Sequence, residues 1–404
     1  MPVLSWLAML SVLAAQEPQR RWTIFADEIY TSAGRTIANG AVVVNGGTIG
    51  LVGVGRDEAP EKELLKVHAV TPGLIDASVR IHDDTKSVEQ SSEVVPSIRV
   101  ADGLDPFAVD WDRELRSGVT TVLVNPPDLD VIGGLGVVLK TGGPDSIQKR
   151  TVRPDAVLRG AMGSQPSYGN HPAFGRPTDF YSRRPTTRMG VEWEWRKAFY
   201  DAVASRKDAS RTFAGSNFVL RALAGDLTLA VQAWTTQDIR TAVFLKEELE
   251  RELGGHPRMI IDAAAEAWKE PELLVRSKVA VVLPPFPPSG RTGEGSFMAW
   301  NVARLLHDNG VPIALSSHGL PGIEDRLPMQ AAYAMQGGLS FADALDAVTI
   351  APARMLGVEN RVGSIEVGKD ADLVLWSGTP FEPGSRVVGV ILDGVLRVDP
   401  RVQE

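Results

Sequence analysis

Seven short apolar runs, separated by helix-like stretches, occupy the chain from about residue 70 to residue 316. Each run is five to seven residues long and apolar nearly throughout, which is typical of parallel strands covered on both faces. The predicted strands are Val70–Asp76, Val119–Val124, Ala156–Ala161, Leu227–Ala233, Met259–Ala263, Val279–Leu283 and Pro312–Ser316. Strands that alternate with helices over about 290 residues favour an α/β fold, here a (β/α)8 TIM-like barrel.

Seven strands are one fewer than a closed barrel of this kind needs. We expect the missing strand between residues 190 and 222, although Trp193, Trp195 and Phe199 have a helix-like spacing there. Two long loops, Gly163–Gly190 and Pro284–Gly295, are rich in glycine and proline. Loops that follow barrel strands lie over the mouth of the barrel, so we expect these two either to cover a site there or to be plain surface excursions.

Two helices are predicted with well-defined ends. Thr236–Leu253 carries its charged residues on one face and is followed by Gly254, a residue type that commonly ends helices. Ser340–Leu356 begins at a serine that can cap the helix N-terminus, and Gly357 follows its last turn. Both helices fit the alternation of strand and helix in the barrel.

Both ends of the chain are rich in β-branched and aromatic residues. Strands are predicted at Ile24–Tyr30, Gly40–Val44, Thr48–Val54, Ala371–Trp376 and Val387–Leu392. Asn45-Gly46-Gly47 and Asp393-Gly394 are hairpin turn sequences. Neither end is large enough to bury its apolar face alone. We therefore expect residues 22–70 and 364–404 to form one small β-sandwich domain, with the barrel at 71–363.

Composition narrows the classes of function and site. The chain has no cysteine, which excludes disulfides, cysteine nucleophiles and thiolate metal sites. The net charge of -8 argues against a nucleic-acid partner and against binding to an anionic membrane surface. The apolar run Leu4–Ala15 is too short to span a membrane as a helix, which takes about 20 residues.

That apolar run has the features of a secretory signal. Small residues end it, so we expect a signal peptide at residues 1–15 and a protein that is exported to the periplasm or secreted. No Lys or Arg precedes the run, and the alternative is an N-terminal segment that docks on the protein or stays disordered.

Three sequence phrases are similar to those of one enzyme family. They are GSIEVGKDADLV from Gly363 to Val374, TIAPARMLG from Thr349 to Gly357, and VTPGLID from Val70 to Asp76. All three resemble signatures of the amidohydrolase superfamily, and most closely its imidazolonepropionase-like branch. The resemblance implies a barrel beside a small β-sandwich. It also implies hydrolysis of amides and related C–N bonds by one or two divalent metals that activate a water.

The resemblance further implies where metal ligands lie. The family has His-x-His after the first strand, histidines on the fifth and sixth strands, and a catalytic aspartate at the end of the eighth. The residues of this chain at those positions are Ser78, Arg80, Gln232, Trp234, Ala263 and His318. There is no good candidate for the carboxylated lysine that some members carry on the fourth strand.

These residue types are poor metal ligands. Alanine has no donor atom, and serine and glutamine are unusual ligands for zinc. Arginine is always protonated, and its charge about 4 Å from a divalent ion costs on the order of 8 kcal/mol at an effective dielectric constant of about 20. We therefore expect no metal cofactor, with Arg80 filling the vacated volume and Asp76 as its possible partner.

The sequence thus predicts a pseudoenzyme, a non-catalytic homologue without a cofactor. It would bind a small molecule, carboxylate or peptide-like, near Arg80, Gln232, Trp234 and His318, or would pair with an active paralogue or with itself. The alternative is a hydrolase of carbon-nitrogen bonds with an atypical metal site. In that hypothesis His82, Asp84 and His318 hold one divalent metal such as zinc.

Overall fold

The computed structural model describes most of the chain after residue 20. The described residues are 21–55, 63–81, 89, 92–167, 184–287, 294–322 and 326–402. The predicted signal peptide, His82 and Asp84 lie outside these ranges. The described parts of the chain form two β-sheets, one of eight strands and one of seven.

The eight-stranded sheet forms the barrel, and each strand neighbours the next one in the chain. Its strands are β5 (Leu74–Val79), β6 (Val119–Val124), β7 (Ile132–Lys140), β8 (Thr151–Ala161), β9 (Thr228–Gln232), β10 (Met259–Asp262), β11 (Ala280–Leu283) and β12 (Ile313–Leu315). A parallel bridge between Val79 and His318 brings the last strand back to the first, so the sheet is nearly closed. The predicted barrel is confirmed.

The eighth strand lies elsewhere than the sequence suggested. It is β7, which runs antiparallel to both of its neighbours, whereas the other seven strands are parallel to one another. The region 190–222, where we expected it, forms two helices instead. The glycines of β7 hide its strand character in the sequence. A glycine is needed at position 134, because Gly134 has φ +121° and a side chain there would meet the Ile98 carbonyl oxygen.

Ten α-helices surround the barrel in the described ranges. They are α1 (Val109–Arg116), α2 (Ile147–Arg150), α3 (Arg188–Ala204), α4 (Ser216–Ala224), α5 (Thr236–Leu253), α6 (Pro271–Arg276), α7 (Val302–Asp308), α8 (Leu327–Gln336), α9 (Phe341–Asp346) and α10 (Ile350–Leu356). The prediction for α5 is confirmed in both bounds, and Gly254 caps it with φ +65°. No helix in these ranges is long and apolar enough to cross a membrane.

The predicted helix Ser340–Leu356 is two helices, α9 and α10. Ser340 is the N-cap as expected, since its side chain accepts a hydrogen bond from the Asp343 N–H. The break follows from Pro352, which has no N–H to donate to the carbonyl of Val348. That carbonyl accepts a hydrogen bond from the Ile75 N–H at the start of β5 instead, which ties the break to the barrel.

The second sheet draws its seven strands from both ends of the chain. They are β1 (Arg21–Tyr30), β2 (Thr36–Asn45), β3 (Thr48–Val54), β4 (Leu64–Pro72), β13 (Leu373–Trp376), β14 (Val387–Leu392) and β15 (Val395–Val398), in the spatial order β15-β14-β13-β4-β1-β2-β3. The predicted barrel strand Val70–Asp76 is in fact the end of β4 and the start of β5. Gly73 separates them, and the chain changes sheets there.

A partly buried ion cluster joins this sheet to the barrel. Lys140, at the end of β7, places its ammonium 2.9 Å from Asp370 and 3.2 Å from Asp393, and it also donates to Asp372. Burial alone lowers the pKa of Lys140, but the three carboxylates outweigh it and raise the pKa. The lysine therefore stays charged and holds the two sheets together.

Candidate functional site

Asp262, the last residue of β10, lies at the centre of the polar cluster inside the barrel. Its side chain is buried, and one carboxylate oxygen accepts hydrogen bonds from Ser78 Oγ at 2.8 Å and Arg159 Nη2 at 2.6 Å. The other carboxylate oxygen lies 3.2 Å from His318 Nε2. Residues from β5, β8, β10 and the segment after β12 therefore meet at one carboxylate.

Arg159 extends this cluster to the segment after β6. Its Nε donates to Asp128 Oδ1 at 2.7 Å, and the guanidinium thus lies between Asp128 and Asp262. The second Asp128 oxygen accepts a hydrogen bond from Arg80. Our expectation that Arg80 pairs with Asp76 is therefore wrong, because Asp128 takes that place.

Asp76 belongs to a separate group of hydrogen bonds. Its two oxygens accept from Ser316 Oγ at 2.6 Å, from the Ser317 N–H at 2.8 Å and from the Ser78 N–H at 3.1 Å. Complete burial raises the pKa of Asp76 even though these hydrogen bonds oppose the shift. These hydrogen bonds link the first barrel strand to the last one. They satisfy both carboxylate oxygens of Asp76 without an arginine.

The remaining predicted site residues surround Asp262 at the same end of the barrel. Gln232 is the register partner of Asp262 on the neighbouring strand, so both side chains point to the same face. The N–H of Ala263 donates to the Asp262 side chain at 2.8 Å, and Trp234 packs on Ala263 and Met298. The structure thus brings all six predicted pocket residues together, while His82 and Asp84 lie outside the described residues.

Electrostatics keep the centre charged. Burial by itself raises the pKa of Asp262, but the positive charge of Arg159, the interaction with His318 and the hydrogen bond from Ser78 hold it well below the usual range. Burial lowers the pKa of Arg159, and Asp128 and Asp262 raise it by more. Asp262 therefore stays ionised, and Arg159 stays protonated.

Four buried polar atoms near this cluster have no hydrogen-bond partner among the described residues. They are Asn125 Oδ1, Arg159 Nη1, Gln232 Oε1 and Trp234 Nε1. A buried polar atom without a partner costs free energy, and native structures rarely leave several of them together. The barrel centre therefore holds both donors and acceptors that the described residues do not satisfy.

The sequence reading missed three members of the cluster. Arg159 and Asp262 each stand inside a predicted apolar strand, and a charged residue in a buried run is the signal that identifies them. Asp128 follows β6 in the segment after Pro126 and Pro127, and no sequence pattern distinguishes it from an ordinary loop aspartate.

The barrel centre does not suit a divalent metal. Asp128 and Asp262 already bind guanidinium groups, whose positive charge repels a cation. Ser78, Gln232 and Ala263 offer weak or no ligand atoms. Within the described ranges, a metal-compatible group of three acidic or histidine side chains occurs at Asp370, Asp372 and Asp393, where Lys140 already sits. The described residues of the barrel contain no such group.

The amino-acid sequence is similar to a family model and to two hydrolases of the same kind. Residues 298–397 match the model of the Amidohydrolase family. Amidohydrolase tasK of Hapsidospora irregularis is 27% identical over 360 residues, which cover 80% of this chain and 34% of that protein. The imidazolonepropionase of Legionella pneumophila is 41% identical over 76 residues, 18% of this chain and 19% of the enzyme. This chain thus spans about a third of the first relative's length and about a fifth of the second's.

The solved structures agree with these matches over nearly the whole chain. An amidohydrolase from Thermotoga maritima MSB8 superposes with a TM-score of 0.81 at 28% identity, covering 93% of this chain and 99% of that one. The barrel, the second sheet and the sequence matches agree with each other. The chain belongs to the amidohydrolase superfamily.

Proposed function

We propose that the protein is a non-catalytic amidohydrolase homologue, which acts by binding a small ligand at the barrel mouth or an active paralogue. The observation that carries this proposal is the guanidinium of Arg159, bonded at once to Asp128 and Asp262 in the barrel centre. Metal-assisted hydrolysis needs a cation at such a centre to lower the pKa of a water. A fixed guanidinium has no open coordination position and cannot do this.

The ligand site is supported by the unpartnered polar atoms. Arg159 Nη1 and Trp234 Nε1 are donors that need acceptors, and Gln232 offers an amide beside them. The Trp234 indole and the His318 imidazole form a T-shaped pair, and Met298 packs on the same tryptophan. A carboxylate or peptide-like group attached to a small apolar body matches this combination.

The partner hypothesis is supported by the length of one relative. The matched region makes up 34% of the Hapsidospora irregularis amidohydrolase, so the similar region is there covalently joined to much more chain. A homologue that lacks its own metal site would act beside an active one as a stabilising or regulatory subunit. The proposal applies equally to a second copy of this chain.

Elemental analysis tests the loss of metal. The purified full-length protein would be analysed for zinc, manganese and iron before and after incubation with each metal and removal of the excess. We expect far less than one equivalent of bound metal. Stoichiometric metal that is lost in His82→Ala or His318→Ala would overturn the proposal, and His307→Ala on the protein surface is the matched control.

Ligand binding is tested with N-acylated amino acids, which combine an amide and a carboxylate. Thermal-shift and calorimetric titrations would compare the unmodified protein with Gln232→Ala and Trp234→Phe. Binding that is at least tenfold weaker in both variants supports the site. Equal binding in all three proteins places the ligand elsewhere and contradicts it. Affinity capture that never recovers a related hydrolase counts against the partner hypothesis.

The competing function is hydrolysis of carbon-nitrogen bonds at a relocated metal. One observation favours it: the bridge between Val79 and His318 places the chain that leads to His82 beside the His318 backbone. Against it, His318 Nε2 already lies beside Asp262, and the guanidinium of Arg159 is bonded to that same carboxylate. Metal-dependent turnover of a hydantoin or dipeptide, abolished in His82→Ala, would establish this alternative.

A further inference from the structure

We infer that Arg159 is a built-in counter-ion: its guanidinium, covalently held by β8, takes the position of a bound cation between Asp128 and Asp262 and makes the barrel independent of metal. In this role Arg159 stabilises the fold, whichever ligand or partner the protein binds.

Two nitrogens of the Arg159 guanidinium hold it between the two carboxylates. Nε donates to Asp128 at 2.7 Å and Nη2 donates to Asp262 at 2.6 Å, and all three side chains are at most 3% exposed. These residues come from β8, from the segment after β6 and from β10. One guanidinium therefore cross-links three segments of the barrel wall at the end where the strands terminate.

The same arrangement occurs a second time in this chain. The carboxylates of Asp370, Asp372 and Asp393 offer oxygens within 4.8 Å of one another, a spacing at which a metal ion can be held. Lys140 places its ammonium there. In both clusters a buried basic side chain of the chain itself pairs with carboxylates, of which Asp128, Asp262 and Asp372 are buried and Asp393 is 44% exposed.

Two substitutions separate the charge of Arg159 from its volume. Arg159→Ala removes the charge and leaves a cavity flanked by Asp128, Asp262 and His318, where a small cation has room. Arg159→Met removes the charge and fills most of the volume with apolar atoms, so a cation has no room. Arg159→Lys keeps a positive charge with fewer hydrogen bonds.

The experiment measures melting temperatures of the full-length proteins with zinc, manganese or guanidinium at low millimolar concentration, and manganese binding by calorimetry. We expect Arg159→Ala and Arg159→Met to melt roughly 5 °C or more below the unmodified protein, because a buried carboxylate loses its partner. Added cation should restore at least half of the loss in Arg159→Ala only. Arg159→Lys should lie between these variants and the unmodified protein.

Other outcomes contradict the inference. An Arg159→Ala protein as stable as the unmodified one, or one that no cation stabilises, shows that Arg159 is not a counter-ion. If Arg159→Ala does not fold, Arg159→Met with Asp128→Asn and Asp262→Asn decides the question. This triple variant should regain most of the stability lost in Arg159→Met, and failure to do so overturns the inference. Metal bound between Asp128 and Asp262 in the unmodified protein would overturn this inference as well as the proposed function, whereas metal bound elsewhere would end the proposed function alone.

Discussion

The indole of Trp234 meets the imidazole of His318 edge-on, with ring centroids 6.2 Å apart and an interplanar angle of 89°. The pair joins the end of β9 to the segment after β12 at the barrel mouth. Beneath it, His318 Nε2 reaches Asp262, so the aromatic contact and the charged centre share one residue.

The first prediction concerns His318. His318→Ala removes a hydrogen bond to a buried carboxylate together with the aromatic contact, and we expect a loss of about 2 kcal/mol in unfolding free energy. The pKa of Asp262 should rise, since His318 is one of the groups that lower it. Denaturant unfolding measures the first effect. His307→Ala, at a half-exposed histidine, should change stability by less than about 0.5 kcal/mol.

The second prediction concerns the junction between the two sheets. A Cβ atom at Gly73 would lie 2.0 Å from Thr120 Oγ1 and 2.7 Å from Thr120 Cγ2, in the buried wall of the barrel. We expect Gly73→Ala to cost about 2 kcal/mol or more, measured by denaturant unfolding. Gly53→Ala is the matched control, because nothing lies within 4 Å of its Cβ. Equal stability of the two variants would refute the close approach.

The third prediction concerns pH. Burial, helped by the negative charge of Asp76, raises the pKa of Glu114 from 4.5 to about 8. Between these values the folded protein binds more protons than the unfolded chain. The contribution of Glu114 to the free energy of unfolding is therefore fully present below pH 4.5. It decreases as the pH rises to 8, by up to about 1.4 kcal/mol per pH unit.

Glu114→Gln removes this titration and provides the test. Unfolding free energies measured from pH 4.5 to pH 8 should depend less on pH in Glu114→Gln than in the unmodified protein. Parallel curves for the two proteins would show that Glu114 titrates normally. Asp112→Asn, at an exposed acid of the same helix, should leave the pH dependence of the unfolding free energy unchanged.

The fourth prediction separates the two arginines that share Asp128. The Arg80 side chain is 32% exposed and the Arg159 side chain only 2%, so water screens the first pair much more than the second. Arg80→Met should cost less than about 1 kcal/mol, whereas Arg159→Met should cost about 3 kcal/mol or more. A double-mutant cycle with Asp128→Asn measures both couplings. Equal couplings would contradict the burial of Arg159.

The sequence predicted much of the fold because buried parallel strands and turn residues leave clear patterns. The hairpin turns at Asn45-Gly46 and Asp393-Gly394, and the bounds of α5, depend on local chemistry alone. The antiparallel strand β7 was missed because its glycines resemble a turn. The break between α9 and α10 was missed because the Val348 carbonyl, which Pro352 cannot engage, bonds instead to the Ile75 N–H of β5, far away in the sequence.

The site was predicted less completely than the fold. Family positions directed attention to Ser78, Gln232 and His318, and the structure brings these three residues together around Asp262. The pairing of Arg80 with Asp76 was wrong, because Arg80 pairs with Asp128, 48 residues further along the chain. Arg159 and Asp128 are 31 residues apart and meet only when β7 and β8 fold back, which no local pattern reveals.

The most direct test is a crystal structure of zinc-soaked protein with anomalous data collected at the zinc edge. We predict the guanidinium of Arg159 between Asp128 and Asp262 and no anomalous peak in the barrel centre. An anomalous peak about 2.0–2.2 Å from an Asp262 oxygen or a His318 nitrogen, with Arg159 displaced, would contradict the central claim.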